Sequence, residues 1–229
     1  MRTACFVDGY NLFYGLLADT PYKWLNLKEL LAHIVRIENP RSFLVSVDYF
    51  TSSVKPDLAT RGRASKEAQD AYVRALKTTS VAVHYGRHSL EPAKAPRFVD
   101  RNTSASRLDK VDIWKLEEKE TDVHIAISMY RTASRQAMLE AEQRVEQLVL
   151  VSSDTDMTPA LRAIREDFPG ITIGVILPYR LASNRPSPGS LKQHAHWTRR
   201  VVSDVELESH QFPNRVATHK KPAIKPDYW

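Results

Sequence analysis

Four carboxylates in this chain stand where apolar segments begin or end. Leu148–Val151 is an apolar run that passes through Ser152 and Ser153 into Asp154 and Asp156. Thr3–Val7 is a second such run, ending at Asp8 with Asn11 close behind, and Asp122 follows Thr121 at the start of a long helical pattern. Buried strands that run parallel deliver their last residues to one edge of a sheet, which is where open α/β sheets carry their sites. Asp8, Asn11, Asp122, Asp154 and Asp156 are therefore the candidates to meet there. Clustered carboxylates without a cysteine or a histidine pair are hard oxygen donors, suited to Mg²⁺ or Mn²⁺ rather than zinc. An ion so held can take phosphate oxygens, activate a water and stabilise a leaving oxygen. Asn11 can orient a water or a phosphate oxygen, while Ser152 and Thr155 can donate hydrogen bonds to the carboxylates from behind.

Each residue also has an ordinary structural role. Asp8-Gly9 is a turn signal, Asn11 a helix cap, Asp122 an acid favoured by the first-turn dipole, and Asp154 or Asp156 a cap for the helix that follows. Their recurrence at strand ends and a helix start is what singles them out together. Glu117, Glu118 and Glu120 read as solvated, with Glu120 an outside candidate.

The elements that must position these residues alternate. Strands are expected at Thr3–Val7, Ser42–Thr51, Val81–Tyr85, Trp114–Lys119, Leu148–Val151, Ile171–Leu177 and Arg199–Val202. Helices are expected at Asn11–Ala18, Leu27–Ile37, Ala64–Lys77, Thr121–Glu142, Pro159–Phe168, Ser190–His196 and Asp204–His210. The apolar residues of Thr121–Glu142, from Val123 to Ala137 and Met138, crowd its first half, which should be buried. Between Arg87 and Lys110 the pattern dissolves into Pro, Ser, Asn and six Lys/Arg, as in an exposed loop or hairpin that touches a ligand. Strand–helix alternation implies βαβ units, hence an α/β protein with a mainly parallel sheet covered on both faces. Residues 1–205 form the domain and residues 206–229 a basic arm packed on it or extending from it.

Composition sets the outer bounds. The chain has 229 residues and one cysteine, Cys5, inside the first strand, so no disulfide can form within it. A lone thiol suits a reducing cytoplasm. No apolar run reaches the length of a membrane span, and the amino terminus enters a strand at once, leaving no room for a signal peptide. Net charge is +6, and residues from Arg180 onward carry nine Lys/Arg against four Asp/Glu. A basic periphery around an acidic site suits a polyanion, with Arg61, Arg63, Arg185, Lys192 and His196 among the contact candidates. The oligomeric state is open, a homo-oligomer included.

The stretches Phe6-Val7-Asp8-Gly9-Tyr10-Asn11-Leu12-Phe13, Tyr49-Phe50-Thr51, Lys119-Glu120-Thr121-Asp122-Val123 and Ser152-Ser153-Asp154-Thr155-Asp156 resemble, in this order, the NYN branch of the PIN-like nucleases. The resemblance implies a three-layer αβα sandwich with about five parallel strands, and a Mg²⁺- or Mn²⁺-dependent ribonuclease. It makes Asp8, Asp122 and Asp154 the metal ligands, with Asn11 and Asp156 completing the polar shell. Two positions depart from the family's habit: Glu120, where glycine is common, and Met157, where an aromatic residue is usual.

Two rival readings compete. Asp154-Thr155-Asp156-Met157-Thr158 fits the DxDxT nucleophile loop of haloacid-dehalogenase-type phosphatases. That loop normally follows the first strand, and this reading leaves Asp8 and Asn11 without work. The other rival is a catalytically silent module that binds RNA or docks a partner through its basic loops.

Overall fold

A computed structural model describes residues 1–183 and 185–229, the side chain of Ala137 excepted. In chain order the elements are β1 (Arg2–Asp8), α1 (Gly9–Leu12), α2 (Leu27–Glu38), β2 (Phe43–Thr51), α3 (Arg63–Thr78), β3 (Ala82–Tyr85), β4 (Arg87–Pro96) and β5 (Lys110–Lys119). They continue with α4 (Thr121–Arg135), β6 (Gln147–Val151), α5 (Thr158–Asp167), β7 (Thr172–Ile176), α6 (Gly189–His194), β8 (Trp197–Arg199), α7 (Asp204–Ser209) and the two-residue strands β9 (Arg215–Val216) and β10 (Ala223–Ile224). The main sheet has six strands in the order β3-β2-β1-β6-β7-β8, every pair parallel. That is one strand more than the family resemblance implied, because β8 pairs over its three residues with β7.

Side-chain alternation builds the three layers. Along β1, Cys5 and Val7 face one way and pack with Leu30, Leu31 and Ile34 of α2 and Leu76 of α3. Ala4 and Phe6 face the other way, against Ile125 and Met129 of α4 and Leu161 of α5. Period-2 alternation then puts Asp8, two residues beyond Phe6, on the α4 face. Each fully buried Leu, Ile or Phe on these faces contributes about 1.5–3 kcal/mol. Burial also pushes the Cys5 thiol well above its ordinary range, which leaves it inert.

Two helical expectations change. The helix expected over Thr121–Glu142 ends at Arg135, because the Gln136 side chain accepts the Val145 N–H at 2.6 Å and turns the chain towards β6. Its burial is a stripe through Ile125, Met129 and Ala133 rather than a whole half, since Val123, Ile127 and Met138 are exposed. Ala137, counted in that half, lies outside the described side chains. The segment expected as Asn11–Ala18 divides into α1 and one π-turn over Phe13–Leu17.

The segment from Arg87 to Lys119 is a hairpin of two ten-residue strands, β4 and β5, which among the described residues pair only with each other. Residues 206–229 lie over α2 and α3. Leu207, Phe212 and Ala223 join that core, Trp24 donates its indole N–H to Pro213 O at 2.8 Å, and Trp229 packs edge-on to Trp24 at 6.1 Å.

Candidate active site

Asp8 ends β1 at the carboxyl edge of the sheet and is 3% exposed. Its Oδ1 accepts the Asn11 N–H at 2.9 Å, capping α1, and its Oδ2 accepts Asn11 Nδ2 at 2.7 Å and Ser152 Oγ at 3.1 Å. Ser152 reaches it because β6 lies beside β1 in parallel register. The Asn11 Oδ1 in turn accepts Ser153 N at 3.2 Å and Ser153 Oγ at 2.6 Å. Ser152 Oγ accepts the Asp154 N–H at 3.0 Å, and Asp154 Oδ1 accepts the Asp156 N–H at 2.9 Å. Strand-end residues of β1 and β6 thus form one hydrogen-bonded chain. Burial pushes the Asp8 carboxyl above its ordinary range; hydrogen bonds from Asn11 and Ser152 pull it back in part, and Glu118 adds an upward push.

Asp122 sits in the first turn of α4, half-buried. Its carboxyl is pushed up to about 6, first by burial and then by the negative charges of Asp8, Asp154, Glu118 and Asp156. All four expected acids therefore share one electrostatic neighbourhood. Among the described residues no Lys or Arg pairs with Asp8, Asp122, Asp154 or Asp156. Also among the described residues, no three His, Cys, Asp or Glu side chains stand close enough to grip one ion directly. A Mg²⁺ ion asks for less, since one or two carboxylates suffice while it keeps several waters. An all-oxygen donor set with unrelieved mutual repulsion fits such an ion.

Several functional candidates were not apparent in the sequence. Glu118, read as solvated, lies beside the acids, and its Oε1 accepts Thr121 Oγ1 at 2.7 Å. The register of β4 with β5 decides this, and it has no local sequence signal. Ser153 rather than Thr155 supplies the further supporting donor. Thr155 is exposed, and among the described residues its side chain donates to no carboxylate. Tyr10 and Tyr14 stack at 5.9 Å with 14° between their planes, and the Tyr10 hydroxyl lies 3.4 Å from His88 Nε2. A polar groove of about 400 Å³ beside α4 is lined by His84, His124, Ser128 and Arg131.

Glu120 holds a left-handed backbone at φ 77°, a conformation that favours glycine. Its carboxylate accepts Arg87 Nε at 2.6 Å.

The expected nucleic-acid contacts scatter. Arg61 lies over the Tyr228 ring at 4.5 Å and Arg63 pairs with Glu67 at 3.3 Å, both near the start of α3. Arg185 lies 5.9 Å over Tyr179, and Lys192 is exposed on α6. His196 precedes β8, and its Nδ1 accepts the Ile173 N–H at 2.9 Å near the start of β7. That places it towards the amino end of the sheet, away from Asp8. Burial and Arg165 lower its pKa, so it is a neutral structural acceptor rather than a phosphate contact.

A parallel sheet between two helical layers, with acids at its carboxyl edge, defines a PIN-like α/β protein. The chain belongs to the NYN domain family of that class, whose family model matches residues 2–196. It is 32% identical over 247 aligned positions to 6-hydroxy-3-succinoylpyridine 3-monooxygenase HspA from Pseudomonas putida, covering 100% of this chain and 75% of that protein. A crystal structure of a protein of unknown function from Vibrio parahaemolyticus is similar with a TM-score of 0.47 at 15% identity, over 89% of this chain and 92% of that one. Among the described residues, no helix is long and apolar enough to cross a membrane.

Proposed function

We propose that this chain is a divalent-metal-dependent ribonuclease, with its domain over residues 1–205 and the segment 206–229 packed on it. The observation that carries the reading is the hydrogen-bonded chain from Asp8 through Ser152 to Asp154 at the carboxyl edge of the sheet. Beside it the Asp122 carboxyl is raised first by burial and then by Asp8, Asp154, Glu118 and Asp156, with no cationic partner for the four expected acids among the described residues. Asp8, Asp122 and Asp154 would hold Mg²⁺ or Mn²⁺ between them, in part through the waters the ion keeps, and Asp156 adds negative charge at the rim. When bound, the ion activates a water and stabilises the leaving oxygen of the scissile phosphodiester. The chain's own work is positioning. Asn11 and Ser152 keep the Asp8 carboxylate in one orientation, and the Tyr10–Tyr14 pair offers a face to a base. His124, Ser128 and Arg131 line a path for the phosphates beside α4.

The test is cleavage of labelled RNA with Mn²⁺ or Mg²⁺ and with EDTA. Cleavage should need the ion and should fall at least about a hundredfold in Asp8→Asn and Asp154→Asn. Binding without ion-dependent cleavage would make the chain a silent RNA-binding module, and release of inorganic phosphate from a small phosphomonoester would favour a phosphatase.

The relative named as a pyridine monooxygenase supports a second reading, because a stacked tyrosine pair beside carboxylates can also seat a nitrogen heteroaromatic ring. Hydroxylation would consume dioxygen and a two-electron reductant. Oxygen uptake in the presence of a hydroxypyridine and reduced nicotinamide cofactor, without RNA cleavage, would select that reading.

A further inference from the structure

The β4–β5 hairpin leaves the body of the protein with no other strand beside it among the described residues. Its register sets His88 opposite Glu118, Leu90 opposite Leu116 and Pro92 opposite Trp114, so these six side chains share one face. At the base that face belongs to the acidic site. His88 meets the Tyr10 hydroxyl, and Glu118 accepts from Thr121, the neighbour of Asp122. Four residues outward, about 13 Å at the usual strand rise, Trp114 is 68% exposed, with Leu116 between them at 43%. Beyond it lies the turn over residues 97–109. Arg97 there pairs with Asp109, but Arg101, Arg107 and Lys110 have no carboxylate partner among the described residues.

An apolar ribbon this exposed marks a binding surface. Two features choose its occupant: the face is continuous with the acidic edge, and its far end is cationic. A protein partner needs neither, whereas a polyanion with flat rings needs both. We propose that the hairpin is an arm that binds single-stranded RNA. One base stacks on Trp114, the tip cations hold phosphates, and the strand is led down the shared face to the acids. Duplex RNA is excluded because its base faces are already stacked in the helix. The inference rests on the ribonuclease reading for the site at its base.

The experiment is titration of the full chain in EDTA with single-stranded oligouridylate and, separately, with duplex RNA, reading tryptophan fluorescence. The single strand should quench the emission and the duplex should not, and the quenching should vanish in Trp114→Phe. Trp114→Ala should raise Kd about tenfold or more, within the range for one stacked base. Arg101→Ala with Arg107→Ala, which leaves the ribbon intact, should reduce the slope of log Kd against log salt by about 1.4. Absence of quenching, equal affinity for duplex, or a Trp114→Ala change confined to self-association in sedimentation would overturn the proposal. Because binding is read without metal, a quenched tryptophan with no RNA cleaved sinks the ribonuclease reading alone. Cleavage without quenching sinks the arm alone.

Discussion

Ser153 donates its hydroxyl to Asn11 Oδ1 at 2.6 Å across a sequence separation of 142 residues. The bond ties the end of β6 to the helix that follows β1, and it leaves the Asn11 amide N–H groups facing the Asp8 carboxylate. Asn11 is thereby a brace with both ends of its amide occupied, rather than a group free to orient a water.

Asn11→Ala removes the side-chain donor to a carboxylate that is 3% exposed and strips Ser153 of its acceptor. The expected loss is about 1–3 kcal/mol, the range for an unsatisfied buried polar group. Asn11→Asp should be worse at pH 7 than at pH 5, because it sets a second carboxylate against Asp8. Urea denaturation at the two pH values checks both statements; unchanged midpoints would remove the brace from the account.

The Asp122 carboxyl titrates at about 6 in the folded chain against an ordinary 3.8. The folded state therefore holds this proton more tightly, so the group's stabilising contribution is complete below about pH 4 and is lost as pH rises through about 6. Asp122→Asn should stabilise the metal-free protein at pH 7, by about 1 kcal/mol once solvent screening of a half-buried carboxyl is allowed for, and not at pH 4. Mn²⁺ should raise the Tm of the unsubstituted chain more at pH 7 than at pH 5. Thermal melts with and without the ion decide the point, and a pH-independent increment would count against it.

Gly9 follows Asp8 where α1 passes under β2. A Cβ at that position would meet Phe50 O at 2.6 Å and the Tyr49 ring at 2.7 Å. Neither neighbour is a flexible chain end, so Gly9→Ala should cost about 1–3 kcal/mol through overpacking. It should also shift Asp8 from its hydrogen bonds. Calorimetry together with the metal-induced Tm increment measures both effects; a silent substitution would show that the contact can relax.

Glu120→Gly tests two opposing magnitudes. A left-handed backbone at a residue other than glycine costs about 1–2 kcal/mol, while the exposed pair with Arg87 contributes about 1 kcal/mol at most. The variant should be as stable as the unsubstituted chain, or up to about 1 kcal/mol more stable by urea denaturation. A clear loss would mean that the Arg87 pair does more to anchor the hairpin base than its exposure implies.

Asp8 and Asp154 were legible because each follows an apolar run too short and too uninterrupted to be anything but a buried strand, and parallel pairing sends both ends to one edge. Asp122 was legible as a first-turn acid behind Thr121. Glu118 was not, since its neighbours Glu117 and Lys119 read as a solvated charge run. Only the pairing of β5 with β4 separates Glu118, facing the acids, from Glu117, which pairs with Lys115 and Lys119. The segment from Arg87 to Lys110 was legible as an exposed loop or hairpin, but the length and pairing of its two strands were obscured because Pro92, Pro96 and alternating charges carry no hydrophobic period. His196 looked like a phosphate contact by composition, and its use as a backbone acceptor depends on β7 lying beside it.

The amino-acid sequence by itself determined the strand–helix alternation, the layered class of the fold and which acids could meet. Those properties follow from local periodicity and from the rule that parallel strands share an exit edge. Tertiary structure alone decided how the acids are supported: that Asn11 and Ser153 lock together, that Glu118 joins the charge cluster, and that a ribbon bearing Trp114 extends from it. Each of these is a contact between residues distant in the chain, fixed by strand register, and register is set by the packing of the whole sheet rather than by any one segment.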